Sequence, residues 1–231
     1  GVDADSTYCY LLVAEDHRDG DTWGMHLLEA AQQGLAPAYT IADAAQGLRA
    51  RQRVAWGETP CHGDVFHIQR QCETLANTLK RLTVGARSQR LKLQAQLSRP
   101  GRRGRARHDG QRLRRAREAE ARTQALARDI RTLTQWLGHD ILALAGPPLA
   151  EREALFDFVV EQLRERERLD LRRIRPLRVA LQNQRDDLLA FAGVLDGKLA
   201  AIAQASGVSD EAVRAACLLH RKHSTSPAYW Q

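Results

Sequence analysis

Four aspartates stand where a carboxylate could do chemistry. Gly1-Val2-Asp3-Ala4-Asp5 begins as an apolar strand, Ala38-Tyr39-Thr40-Ile41-Ala42 runs into Asp43, and Asp64-Val65-Phe66-His67-Ile68 opens on a further acid. Acids at the carboxyl ends of neighbouring strands converge where open α/β sheets hold their ligands. Two of them there could hold a pair of divalent ions about 3.5–4 Å apart, one activating an attacking hydroxyl and the other stabilising the leaving oxygen. Asp3 and Asp43 suit that chemistry best, each ending or nearly ending an apolar run. Asp5 is the rival for the first acid, since residues two apart face one side of a strand, but it borders the turn-like Asp5-Ser6-Thr7. The competing reading makes all of these acids turn formers or helix caps.

Asp64 and His67 form a second candidate group, with Cys61 and His62 nearby. They could add a metal ligand or orient a phosphate. Zinc would need four ligands at a repeated spacing, and this group has no second pair. The plainer reading buries Phe66 and Ile68 at a strand-to-helix junction and leaves His67 bonded to backbone. Trp23 and Trp56 read as packing residues rather than as platforms for stacked bases.

Cations are concentrated elsewhere. Residues 80–122 carry 15 Lys and Arg against 3 Asp and Glu, whereas residues 1–79 carry 5 against 11. Arg99, Arg102, Arg103, Arg105 and Arg107 cluster on a Gly-containing stretch, and Arg112, Arg114, Arg115 and Arg117 follow at the start of a helix. Arginine forks contact phosphates without reading base sequence, so such a tract predicts salt-sensitive, largely non-specific DNA binding. Its rival is a solvated helix face, but such faces interleave acids, and here acids are scarce until Glu118. Arg164-Glu165-Arg166-Glu167-Arg168 alternates in sign and reads only as a solvated face.

The elements that must position these groups follow from the apolar pattern. Tyr8–Ala14 reads as a strand that forms a hairpin with Gly1–Ala4. Asp21 or Thr22 caps a helix that runs to about Gln33 and closes at Gly34. The Ala38–Ala42 strand, a helix over Ala44–Arg53, a short Val54-Ala55-Trp56 piece and the segment ending at Ile68 complete an α/β alternation. From Phe66 the period changes. Ile68, Cys72, Leu75, Leu79 and Leu82 form one coiled-coil seam, and Leu126, Ile130, Leu133, Leu137, Ile141 and Leu144 form another. The Pro/Gly-rich stretch 98–105 between them predicts an antiparallel hairpin with arginines at its tip, and Gly146-Pro147-Pro148 stops the second seam. Further helices are predicted over Glu151–Arg173 and over Pro176–Gln204, with Pro176 at a helix start. A last helix runs from Ser209, its N-cap, to about Lys222. The predicted organisation is an α/β core segment at 1–72, a helical insertion at 73–205 with its Arg-rich tip near 98–117, and a C-terminal helix at 206–231 leading back toward the core.

The order of short motifs carries a resemblance. Gly1-Val2-Asp3-Ala4-Asp5-Ser6-Thr7-Tyr8, Trp23, Tyr39-Thr40-Ile41-Ala42-Asp43-Ala44-Ala45-Gln46-Gly47-Leu48 and Asp64-Val65-Phe66-His67-Ile68 are followed by Trp136-Leu137, Asp140-Ile141-Leu142, Leu144-Ala145-Gly146-Pro147, Leu181–Phe191 and Tyr229-Trp230. This arrangement resembles the DDE transposases of bacterial insertion sequences. The resemblance implies an RNase H-like fold, a mixed sheet with a front hairpin interrupted by a large helical insertion. It also implies cleavage and transfer of DNA strands with Mg²⁺ or Mn²⁺. Asp3 and Asp43 match the first two acids of the triad, and the third, a Glu beside an Asn, is expected past Gln231. Asp210 and Glu211 lack that pattern and suit the dipole at a helix start instead. The expectation is therefore a fragment, inactive alone, from a cytoplasmic, nucleoid-associated enzyme that acts on transposon ends and target DNA and pairs with a second copy through its long helices. The spacing of 40 residues between Asp3 and Asp43 is short for this fold, which predicts a reduced hairpin or a missing third strand.

Composition narrows the alternatives. Cys9, Cys61, Cys72 and Cys217 form no CxxC pair or disulfide framework, which argues for a reducing compartment. The pattern predicts no membrane span and no signal peptide. Two other functions fit the same residues: a non-catalytic helical module that binds DNA and oligomerises, and another RNase H-like nuclease such as a junction resolvase.

Overall fold

The computed structural model describes residues 2, 9–16, 19–42, 46–63, 65–98 and 106–224. The chain is helix-dominated, and the described residues hold one small two-stranded parallel sheet. It divides into two compact units, Gly1–Val65 with Asp186–Phe191, and Phe66–Arg185 with Ala192–Gln231.

The first unit contains helix α1 (Gly20–Gln32), strand β1 (Thr40–Ala42), helix α2 (Gln46–Trp56) and strand β2 (Cys61–Gly63). The residue that starts α1 is Asp19 rather than Asp21 or Thr22. Its carboxylate accepts from the Thr22 N–H at 2.8 Å and from the Thr22 hydroxyl at 3.1 Å. Those bonds to the charged form, the backbone one foremost, hold the Asp19 carboxyl below its ordinary range. Asp21 is thereby freed to pair with Arg51 on α2. At the other end Gly34 takes φ 97°, and the Leu35 and Gly34 N–H groups return to the Ala30 and Ala31 carbonyls, both at 3.0 Å. A β-carbon is disfavoured at that φ, so glycine suits the position.

The strands are shorter than the sequence suggests, and one is displaced. β1 pairs in parallel with β2 in the register Thr40–Cys61, Ile41–His62, Ala42–Gly63. The strand is Cys61–Gly63, not Asp64–Ile68, because the helical spacing of Ile68 and Cys72 already governs the chain from Val65. Val54, Ala55 and Trp56 are the last turn of α2, where the Trp56 indole donates to the Leu35 carbonyl at 2.8 Å. Of the predicted front hairpin, the described residues hold one antiparallel bridge, Val2–Cys9. Tyr10–Glu15 form no strand, and Leu12 is 91% exposed. An apolar run without a neighbouring strand has no ladder to stabilise it.

The second unit is an up-and-down succession of long helices. α3 (Val65–Leu97) and α4 (Ala106–Trp136) run antiparallel. The Thr83 hydroxyl on α3 bonds the Thr123 carbonyl on α4 at 3.2 Å, and further out Arg90 pairs with Glu120. At that register Leu79 stands level with Leu126, Leu75 with Ile130, Cys72 with Leu133 and Ile68 with Leu137. All eight are buried, so both seams are core. The seams stop one residue early at each end: Leu82 is 36% exposed and Leu144 75%. α4 ends in a π-turn, Leu137–Ile141, and the chain reverses into α5 (Leu149–Asn183). α4 and the start of α5 are tied by Asp129–Arg166 at 3.0 Å and by the Trp136 and Phe158 rings, 6.1 Å apart.

α5 is broken at Asp170, whose φ of −155° and ψ of 73° are non-helical. Glu167 and Arg178 nonetheless form an ion pair across the break. Eleven residues of straight helix would separate them by about 16 Å, so the chain folds back on itself there. The arm at 171–183 and then α6 (Arg185–Ser206) run antiparallel to the arm at 149–169. Arg185 bonds Asp157 at 2.7 Å, and Asp196 accepts from the Leu149 N–H at 2.9 Å. The two helices expected over 151–173 and 176–204 are thus present, with the turn at Asp170 and a second break at Gln184. Pro176 lies within the returning arm rather than at its first position. Arg166 and Glu167 correct the reading of 164–168 in part: they pair with Asp129 and Arg178, whereas Arg164, Glu165 and Arg168 are exposed as expected of a solvated face. α7 (Asp210–Ser224) begins after Ser209, whose hydroxyl accepts from the Ala212 N–H at 3.2 Å.

α6 has the length and composition to cross a membrane, with a mean hydropathy of 1.4, contrary to the expectation that no such stretch exists. Its Asp196 binds both Leu149 and Arg214, so its polar side is engaged within the unit.

Candidate nucleic-acid interface

The acids proposed for metal, Asp3, Asp5 and Asp43, lie outside the described residues, as do Asp64 and Arg99, Arg102, Arg103 and Arg105. Arg107 falls within α4, but its side chain is outside them too. In sequence, Asp43 and Asp64 directly follow the paired residues Ala42 and Gly63. Among the described residues no three His, Cys, Asp or Glu side chains cluster closely enough to hold a metal ion. His67 is exposed in the first turn of α3, its ring edge-on to Phe66 at 5.9 Å. Phe66 itself is 62% exposed, so it does not bury the junction as expected, whereas Ile68 does.

The described arginines of the tract are all on the exposed side of α4. Arg112 comes no closer than 3.9 Å to Asp109, and Arg114 stands at the same distance from Glu118. At that separation, in water, these pairs neutralise little of the charge. Arg115, Arg117 and Arg122 have no acidic partner among the described residues. The buried seam of α4 begins only at Leu126, so these cations stand beyond it on the outer part of the hairpin, where Arg90 of α3 pairs with Glu120.

Further along the same pair of helices a trough of about 650 Å³ opens between α3 and α4. Its lining includes the small residues Ala76 and Ala127 on the two helices and Gly138 in the π-turn. Lys80, Arg128 and Arg131 line it, and Glu73 is the acid on that lining. Cys72 also reaches it but is buried, and burial pushes its thiol up to about 12, which makes it a packing residue rather than a nucleophile. No reading of the sequence singled out Lys80, Arg128 and Arg131. The available signal was a second stripe of 3–4 spacing, one residue past the seam at Lys80 and two residues before it at Arg128 and Arg131.

A second missed residue is Arg152, which is fully buried. Its Nε donates to the Pro147 carbonyl at 2.6 Å, Nη1 to Ile141 and Ala143 at 2.6 Å each, and Nη2 to Leu144 at 3.1 Å. One guanidinium thus satisfies the carbonyls left open where α4 ends, at the negative pole of its dipole. A β-carbon at Gly146 would come within 2.7 Å of Arg152 Nη2 and of the Asp140 carbonyl, so this turn tolerates no side chain there. The Gly146-Pro147-Pro148 stop is therefore held by an arginine. Arg214 plays a similar joining part on α7. Burial works against its charge, but bonds to Asp196 at 2.8 Å and Asp210 at 3.0 Å outweigh it and raise its pKa. Asp210 accordingly serves its own helix, as expected of an acid at a helix start.

The arrangement presents exposed cations along an antiparallel helix pair, a chemistry that suits a polyanion. No family model, curated protein or solved structure matches the chain.

Proposed function

We propose that this chain is the DNA-handling part of a DDE-type transposase with an RNase H-like core, in which the α3–α4 pair is the DNA surface. The observation that carries the reading is the exposed, acid-poor cationic stretch of α4 at Arg112, Arg114 and Arg115. Asp3 and Asp43 would hold Mg²⁺ or Mn²⁺, which in such enzymes supplies the Lewis acid for strand cleavage. The partner is DNA, both transposon ends and target, recognised here through phosphates.

Fluorescence anisotropy with a labelled duplex across a salt series tests the DNA surface. The affinity is expected to fall steeply with salt, and Arg112→Gln with Arg114→Gln and Arg115→Gln should lower the log–log slope by about 3, at roughly 0.9 per phosphate contact. A slope unmoved by that triple change would remove α4 from the function. Calorimetric Mn²⁺ titration tests the acids: Asp3→Asn and Asp43→Asn should each abolish binding, and uptake equal to that of the wild type would sink the catalytic half. The helix dominance and the three-residue strands favour a second reading, a non-catalytic helical DNA-binding module, which predicts DNA binding that survives both Asp→Asn changes.

A further inference from the structure

We infer that the trough between α3 and α4 is a second phosphate-binding track, which seats the backbone of a DNA duplex and is distinct from the arginine tract near the hairpin tip. The inference rests on the reading of the chain as DNA-handling and names a further part of that surface.

Charge, shape and chemistry point the same way. Lys80, Arg128 and Arg131 line the trough, and none has an acidic partner among the described residues. Glu73 is the acid on the lining, so three cations face one carboxylate. Surface cations that only solubilise a helix are normally interleaved with acids, and on α4 the neighbouring acid, Asp129, is already committed to Arg166 at 3.0 Å. Arg128 and Arg131 are one turn apart on the same side of α4, and Lys80 faces them from α3. The stretch of α3 from Gln69 to Val84 that walls the trough is about 22 Å long at 1.5 Å per residue. Each strand of a duplex carries one phosphate per ~3.4 Å of helix axis, so a trough of this length spans several of them.

The rest of the lining narrows the ligand. Gln124 and Gln135 supply amide donors and acceptors, suited to sugar and phosphate oxygens. The lining carries no Phe, Tyr or Trp. Tracks for single strands hold bases on such rings, so this one fits the outer backbone of a duplex. An acidic peptide would satisfy the same cations, which makes polyglutamate the competitor in the test.

The test uses the full chain with two variants in the trough. One replaces Lys80, Arg128 and Arg131 by Gln. The other is Gln135→Glu, which adds a negative charge at nearly constant volume on an exposed position. Circular dichroism first establishes that each variant keeps wild-type helicity. Anisotropy with a labelled duplex should then give a salt slope reduced by about 3 for the triple variant, and weaker binding for Gln135→Glu at unchanged helicity. Unchanged slopes in both variants, beside a tip variant that does lose affinity, would overturn the trough while leaving the DNA-handling reading intact. A wild-type chain that binds no duplex would overturn both. Preference for a single strand, or for polyglutamate over duplex, would overturn the assignment of the trough to duplex backbone.

Discussion

The two units distribute burial and charge in contrasting ways. In the first, the buried apolar side chains among those described are Leu27 on α1 and Leu188 and Leu189 on the stretch of α6 that belongs to it, and the strands are three residues each. Its order depends on individual polar contacts: Asp19 at the start of α1, Asp21 with Arg51, and the Trp56 indole on Leu35. In the second, buried side chains recur every three or four residues along α3, the later part of α4 and the first arm of α5, and the cations of the trough stand on the outside of that frame. A continuous apolar stripe supplies the rigidity and leaves the other side of each helix free for charge. The region with the proposed metal acids has no comparable frame of its own, whereas the region with the arginines does.

The largest effect that would sharpen this contrast is at Arg152. Arg152→Ala should lower the unfolding free energy of the second unit by about 3–5 kcal/mol, because it strands several buried carbonyls at the end of α4. Urea unfolding followed by circular dichroism reads the change, and a loss under about 1 kcal/mol would mean that water satisfies those carbonyls. Next come matched truncations in the two units. Ile130→Ala, at a fully buried seam position, should cost about 3–4 kcal/mol, and Leu27→Ala less, about 2 kcal/mol. Equal losses would erase the distinction between the units.

Alkaline pH probes the same seam. The folded Cys72 thiol keeps its proton up to about 12, against an ordinary 9.0. A group whose folded pKa is raised contributes its stability fully below the unfolded value and loses it as pH rises. The contribution of Cys72 is thus complete below pH 9.0 and declines from there toward 12. Labelling with a thiol reagent at mildly alkaline pH should modify the exposed Cys9 and Cys217 first and Cys72 last. Fast labelling of Cys72 would mean that the seam opens readily. The smallest effect is expected at Asp129, whose partner Arg166 lies across the α4–α5 contact and whose side chain is 46% exposed. Asp129→Asn should cost under about 1 kcal/mol in the same urea experiment, and a larger loss would place that ion pair among the supports of the helical frame.

The long helices were legible because their signal is local and repeated. Ile68, Cys72, Leu75 and Leu79 establish a period on their own, and the matching stripe on α4 lets the two helices meet. Ser209 as a cap and Gly34 as a helix end were legible for the same reason, since each acts within four residues of itself. The short strands were not, because a strand of three residues is decided by its partner. Cys61–Gly63 won over Asp64–Ile68 only through its register with Thr40–Ala42. The trough was half legible: Lys80, Arg128 and Arg131 are visible as a stripe, but nothing local says that two stripes thirty or more residues apart face one another.

By itself, then, the sequence determined the helical periods, the separation of an acidic start from a basic middle, and the stops at Gly34 and Gly146-Pro147-Pro148. Tertiary structure alone decided that Arg152 would close the end of α4, that α5 would fold back at Asp170 to bring Glu167 to Arg178, and that cations from two helices would share one trough. The reason is range. Helix periodicity and capping act over a few residues, whereas a buried guanidinium or a shared groove exists only once distant segments exclude water from between them.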